Sequence, residues 1–250
     1  MSGWTRCSGA LANPSVNSGP PLLDLDRVLN CLTDDREVST LQAVELGVLG
    51  PLQVRQDGVP VMIPGAKPRA ILTMLGLHDG LVVSAETLIE LLWGEDPPRT
   101  AAKALQTHIS SLRRTLGDGF VLTEGTGWTL AQSDVDASRY KSAARLGCDA
   151  AATGDTSQAV TCFEQALVLW RGTPELPDGR RGTSEKTRWI EDHAALVEDR
   201  ADALLATGRA AEIIGELEAA VAEAPLRERR WGQLMLALYR AGRQGEALGA

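Results

Sequence analysis

The sequence predicts a mostly α-helical protein with a small β component, built in two parts. Three observations carry this. Residues 44–63, VELGVLGPLQVRQDGVPVMI, place Val and Leu on either side of an Asp57-Gly58 dipeptide, the pattern of two short antiparallel strands around a tight turn. Residues 67–116 hold three apolar-periodic segments separated by Gly and Pro. From Asp134 onward the pattern is helical throughout, interrupted by three similar turns: ATGD at 152–155, ATGR at 206–209 and RAGR at 240–243.

Ahead of these parts, residues 1–42 are expected to be a disordered extension, because SGALANPSVNSGPP is small, polar and rich in Pro and Gly. Within it, LLDLDRVLNCL at 22–32 has a short apolar face that suits a brief helix or a docking segment. The first helix of the folded part is expected at 67–77, with Ile71, Met74, Leu75 and Leu77 facing inward and Pro68 in the first turn. The second spans 84–94, with Ser84 as N-cap, Glu86 in the first turn and Gly94 as its stop. GEDPPR then breaks the chain, and the third helix runs from Thr100, its expected cap, to Gly117. FVLTEGTGWTL at 120–130 reads as strand, Gly-rich tip and strand.

The helical half repeats. Gly208 and Gly242 are 34 residues apart, the period of a tetratricopeptide repeat. Gly154 and Gly208 are 54 apart, and the surplus falls in RGTPELPDGRRGTSEKTRW at 171–189, read as a long loop. Pro225 closes the second unit. QGEALGA starts a further helix at the end of the chain, so the repeat module at 134–250 is expected to be incomplete there.

Composition narrows the function. A hydrophobic content of 44% and a charged content of 23% are those of a soluble globular protein, and 250 residues accommodate one or two domains. No apolar run approaches the ~20 residues of a membrane span, and the N-terminus has no signal-peptide core, so no membrane partner is expected and the location expected is cytoplasmic. Cys7, Cys31, Cys148 and Cys162 form no CxxC pair, which argues against a zinc site or a disulfide framework; Cys148 and Cys162 fall in helical patterns as buried filler. The chain has neither GxxxxGK[ST] nor HExxH, and its three histidines, His78, His108 and His193, lie in separate segments. No enzyme, no metal and no cofactor is expected.

A formal net charge of −8 keeps the bulk of the protein off nucleic acid, so any such contact must be local. One stretch qualifies. From Pro97 to Gly117 there is no carboxylate, while Arg99, Lys103, Arg113 and Arg114 are cationic. On a helix turning about 100° per residue, Leu105, Ile109, Leu112 and Leu116 fall within about 60° of one another as a core stripe. Lys103, Thr107, Ser110 and Arg114 have the same spacing and fall on the opposite side. Ser111 borders them, and Gln106 and Arg113 lie on one flank. Small hydroxylated residues let a backbone approach a groove and bond base edges, and cations neutralise phosphate. A solvated face that lacks acids by chance would look the same in isolation. The surrounding order of small sheet, three helices and Gly-tipped hairpin favours recognition, because it is that of a winged helix-turn-helix.

These segments carry a resemblance. LGVLGPLQV, GAKPRAILTMLGLHDGLVVSAETLIELLWGEDPP and ALQTHISSLRRTLGDGFVLTEGTGWTL resemble the DNA-binding domain of the Streptomyces antibiotic regulatory protein family, itself similar to the winged helix of response regulators. From DVDASRY at 134–140 onward the chain resembles that family's bacterial transcriptional activator domain, a tetratricopeptide-like module. The resemblance implies a winged helix-turn-helix at 43–131 and a helical repeat domain at 134–250. It implies an activator that binds short direct repeats in promoter double-stranded DNA, sits head to tail there, and contacts RNA polymerase; the uncapped end of the repeats adds the expectation of a homodimer through the C-terminal helices. By position it assigns Lys103, Thr107, Ser110, Ser111, Arg113 and Arg114 to DNA, with Arg99 and Thr100 at the helix entrance. His108 is the family's recurrent histidine; its angle borders the core, which leaves packing and phosphate contact both open. Thr126 and Trp128 would shape the wing, Trp128 as a strand anchor. Two departures stand out: Glu124 where related wings often have a base, and Ser110 and Ser111 where relatives often have longer side chains.

The alternative reading is a non-catalytic adaptor whose helical half binds a protein partner. Its support is the acidic run of WIEDHAALVEDRAD and GELEAAVAEA.

Overall fold

The computed structural model describes residues 44–131 and 134–250. The expectations for residues 1–42, including the segment 22–32 and Cys7 and Cys31, lie outside the described residues. The described residues from 44 to 250 belong to one compact unit.

The unit begins with three strands, β1 (Val44–Gly47), β2 (Gln53–Gln56) and β3 (Val59–Pro60). Both antiparallel pairs are present, and Asp57 (φ 51) and Gly58 (φ 76) make the turn between β2 and β3 in the left-handed backbone that a two-residue hairpin demands. The 44–63 stretch therefore holds three strands rather than two: Leu49, Gly50 and Pro51 bend the chain once more before Asp57-Gly58. A fourth strand, β7 (Asp134–Val135), lies parallel to β1, and the sheet order is β3-β2-β1-β7.

Helix α1 (Ala66–Leu77) is the centre of this half, and Ile71, Leu72, Met74, Leu75 and Leu77 are buried on it. A Cβ on Gly76 would stand 2.8 Å from both Leu46 and Val48, so the sheet rests directly on this helix and only glycine fits between them. The two-residue strand β4 (Val83–Ser84) leads into α2 (Ala85–Trp93). Ser84 caps α2 as expected: its hydroxyl accepts from the Thr87 N–H at 3.1 Å, and Gly94 ends the helix at φ 69. Helix α3 (Ala101–Leu116) follows, then the hairpin β5 (Val121–Glu124) and β6 (Gly127–Leu130). The second sheet has the order β4-β6-β5, so β5 is an outer strand. Three helices, a small sheet and this hairpin form a winged helix-turn-helix.

The helical half consists of α4 (Asp136–Ala152), α5 (Thr156–Leu167), α6 (Arg180–Ala206), a 3₁₀ turn (Ala210–Glu212), α7 (Ile214–Glu223), α8 (Glu228–Arg240) and α9 (Gln244–Gly249). Each of the three Gly turns read from the sequence joins a helix to its successor. Gly154, Gly208 and Gly242 share nearly one geometry, with φ of 83, 81 and 77. The expected long loop is shorter than 171–189, because α6 already begins at Arg180. Gly182 in its first turn packs where a Cβ would lie 2.0 Å from the Pro177 carbonyl, and buried Trp189 anchors the next turns. Trp189 meets Tyr140 edge-on at 5.8 Å, and Trp170 stacks on His193 at 4.3 Å. Cys162 is buried and Cys148 half-buried. No helix among the described residues is long and apolar enough to cross a membrane.

Candidate nucleic-acid interface

Helix α3 is amphipathic in the way its sequence requires. Leu105, Ile109, Leu112 and Leu116 are buried, together with Ala101 at the first turn. Gln106, Lys103, Thr107, Ser110 and Arg114 are exposed, and Ser111, His108 and Arg113 are half-buried along the flanks. Arg99 and Thr100 are exposed just before the helix. The side chains of Arg99, Lys103, Ser110 and Arg114 have no hydrogen bond or ion pair within the described residues. Three cations and a hydroxyl are thus presented without a partner among the described residues, on a segment, 97–117, that carries no carboxylate.

Thr100 precedes the helix but does not cap it with its side chain. Its backbone (φ −94, ψ 5) lies near the helical region, away from the extended conformation a capping side chain needs, and the first turn is closed by the Ala101 N–H bonding to the Pro98 carbonyl at 2.8 Å. Thr107 donates its hydroxyl to the Lys103 carbonyl at 3.0 Å, which leaves its oxygen lone pairs and its methyl group facing outward.

His108 is half-buried. Its pKa lies below the ordinary histidine value, first because burial disfavours the cation and second because the Lys67 ammonium is near. A neutral ring at neutral pH suits packing at the edge of the core better than phosphate neutralisation. Lys67 itself, on α1, stands 4.3 Å over the Trp93 ring at the end of α2. Nothing in the spacing of GAKPRA signals that this lysine neighbours α3.

The wing is pinned from two sides. β6 pairs with β4, and a Cβ on Gly127 would lie 2.4 Å from the Val83 carbonyl. The Thr126 carbonyl at the tip accepts from the Ala85 N–H at 3.0 Å, while the Thr126 and Glu124 side chains are exposed. Trp128 is buried, a strand anchor as its pattern implies. From the other side, Arg113 reaches out of α3 and donates from Nε to the Val121 carbonyl at 2.8 Å and from Nη2 to Thr123 Oγ1 at 2.7 Å. The sequence groups Arg113 with Arg114, yet the two diverge: Arg113 binds the wing, and the exposed Arg114 side chain has no partner among the described residues.

Behind this surface, polar contacts join the winged helix to the helical half. Asp136, buried at the start of α4, accepts from the N–H groups of Val48 at 2.8 Å and Leu49 at 3.1 Å and pairs with Arg171 at 3.0 Å. Arg171 returns bonds to the Pro51 and Leu49 carbonyls. Lys141 donates to the Leu77 carbonyl at 2.7 Å, and Ser138 to Asp79 at 2.6 Å. This seam ties the chain after β1 and the end of α1 to α4 and Arg171, and no spacing in the sequence announces it.

Most carboxylates of the acidic runs are paired with arginines of the same chain. Glu198 pairs with Arg227 and Arg230; Asp199 and Asp202 pair with Arg229, each at 2.6 Å; Glu191 pairs with Arg227. Glu216 pairs with Arg200 at 2.8 Å. These pairs link α6 to α7 and to the start of α8.

Comparison with known proteins agrees with this architecture. The family described as "Transcriptional regulatory protein, C terminal" matches residues 63–127, and that described as "Bacterial transcriptional activator domain" matches residues 135–250. Regulatory protein AfsR of Streptomyces coelicolor is 39% identical over 212 residues, 82% of this chain and 21% of AfsR. Regulatory protein DnrI of Streptomyces peucetius is 34% identical over 222 residues, which cover 83% of this chain and 82% of DnrI. A solved structure of Mycobacterium tuberculosis EmbR in complex with a low-affinity phosphopeptide superposes with a TM-score of 0.77 at 35% identity, covering 83% of this chain and 57% of that one. The chain thus spans about a fifth of AfsR and somewhat over half of EmbR. With both family models matched in this order and DnrI covered over most of its length, the chain belongs to the Streptomyces antibiotic regulatory protein family of transcriptional regulators.

Proposed function

We propose that this chain regulates transcription by binding double-stranded DNA, with α3 as the recognition helix in the major groove. The observation that carries the reading is the two-sidedness of α3: a buried Leu105–Ile109–Leu112–Leu116 stripe opposite an exposed, acid-free face of Lys103, Thr107, Ser110 and Arg114. Arg99 and Thr100 extend that face at the helix entrance, Ser111 and His108 flank it, and Thr126 stands at the wing tip. In this reading residues 43–131 read DNA and residues 134–250 form the activator array. Short side chains at Ser110 and Ser111 give fewer long donors to base edges, so DNA shape contributes to selectivity. Glu124 at the wing repels phosphate, which argues against insertion of the tip into the minor groove.

The family assignment supports activation at promoter direct repeats, protomers side by side or head to tail on one DNA face, contact with RNA polymerase, and a cytoplasmic location. The adaptor alternative loses its support because Glu191, Glu198, Asp199 and Asp202 are paired with arginines of the same chain.

Selection of bound sequences from a random duplex pool tests this reading. A repeated half-site with copies about one helical turn apart, 10 to 10.5 base pairs, is the expected result. A pool that shows no enrichment over input would refute it.

A further inference from the structure

Among the described residues, Arg113 is the one α3 cation with a hydrogen-bonded side chain, and what holds it is the wing. Its Nε donates to the Val121 carbonyl at 2.8 Å and its Nη2 to Thr123 Oγ1 at 2.7 Å. Both acceptors lie on β5, the outer strand of the β4-β6-β5 sheet, two residues apart. The inner strand β6 is fixed by β4 and by the close approach of Gly127 to Val83. Among the described residues β5 has no such neighbour on its far side, and Leu122, Thr123 and Glu124 are exposed. A planar guanidinium can satisfy two acceptors at once in a fixed orientation; an ammonium offers no such fork.

We propose that Arg113 is a positioning residue: it braces β5 against the last turns of α3, and DNA selectivity depends on that brace rather than on an Arg113–phosphate contact. This rests on the DNA-binding reading above. The wing segment 120–130 contains no Lys or Arg, so misplacing it removes no phosphate-neutralising charge. A brace and a phosphate contact therefore leave different signatures. Loss of a phosphate contact weakens all duplexes alike and reduces the slope of log affinity against log salt by about 0.9. Loss of the brace lowers the preference for the selected site over random duplex at unchanged slope.

The test is an anisotropy titration of the full chain with the selected site and with random duplex over a salt series, using wild type, Arg113→Ala, Arg113→Lys and Thr123→Val. Amide exchange is followed across residues 122–129. Thr123→Val changes no charge and removes one acceptor, so it remains informative if Arg113→Ala folds poorly. Expected are a several-fold loss of selectivity and faster wing exchange in both Arg113→Ala and Thr123→Val, an unchanged salt slope, and no rescue by Arg113→Lys. A reduced slope in Arg113→Ala, with Arg113→Lys and Thr123→Val like wild type, would show a phosphate ligand and overturn the brace. Faster exchange at constant selectivity would reduce Arg113 to a structural role and also overturn it. Wild type that binds no duplex overturns the DNA-binding reading together with this proposal; wild type that binds while the variants follow the phosphate pattern overturns this proposal alone.

Discussion

Arg69 on α1 and Glu175 in the loop before α6 are joined by two hydrogen bonds, from Nε at 2.7 Å and Nη2 at 2.5 Å, while the same carboxylate accepts the Leu52 N–H at 3.1 Å. One side chain of the helical half thus ties the central helix and the β1–β2 connection of the winged helix. The Arg69 hydrogen bonds hold the Glu175 carboxyl below the ordinary glutamate range; burial opposes them, and the Leu52 N–H and the Arg69 charge add to the lowering. A depressed carboxylate contributes stability that is fully present above its unfolded value of 4.5 and is lost as pH falls through the folded value. Arg69→Ala and Glu175→Gln should therefore lower the melting temperature at neutral pH and melt progressively closer to wild type as the solution is acidified below that value. Melting curves collected across the acid range check this; a constant gap down to about pH 2 would contradict it.

Asp136 is the stronger test of the same seam, because it is buried and holds three partners. Asp136→Ala would leave the Val48 and Leu49 N–H groups unsatisfied and the Arg171 guanidinium without its counter-charge. Removing one member of such a buried arrangement costs about 3 to 5 kcal/mol. Asp134→Ala, which breaks the exposed pair with Arg139, should cost under about 1 kcal/mol. Urea denaturation of the two variants side by side measures the difference. Equal losses would mean that the seam adds little to the fold.

The two sides of α3 were legible because helical periodicity fixes which residues share a face. Leu105 to Leu116 had to be buried if the segment was helical at all, and the glycines at 154, 208 and 242 marked turns by their backbone freedom. The seam was not legible, since Asp136 lies 88 residues from Val48 and Glu175 lies 106 from Arg69, and no local pattern encodes such pairings. Two-residue strands such as β4 and β7 are too short to show alternation. RRGTSEKTRW read as loop because its Gly and charges outweighed Trp189, which tertiary packing rewards. Arg113 and Arg114 are neighbours in sequence, and only coordinates separate a side chain turned to the wing from one turned to solvent.

Leu112 sits fully inside the trihelical core. Truncation to alanine should cost about 2 to 5 kcal/mol, the lost transfer energy plus the cavity left among its neighbours. Ser110→Ala, two residues earlier on the exposed face, should leave stability within about 0.5 kcal/mol of wild type. Chemical denaturation of both variants decides the orientation of α3. A stable Leu112→Ala with an unstable Ser110→Ala would reverse it.

Lys103 and Arg114 carry the electrostatic part of the proposed recognition. Both are exposed, and neither side chain bonds to the described residues, so neither supports the fold. Lys103→Ala and Arg114→Ala should therefore melt within about 0.5 kcal/mol of wild type. Each should weaken binding to any duplex and reduce the log affinity–log salt slope by about 0.9, as one phosphate's counterions are no longer released. The double variant should lose about twice that slope, because the two groups are 11 positions apart on the helix and act on different phosphates. Fluorescence anisotropy at several salt concentrations measures the slopes directly. If both single variants keep the wild-type slope, the cationic face of α3 does not meet phosphate, and recognition by this helix fails with it.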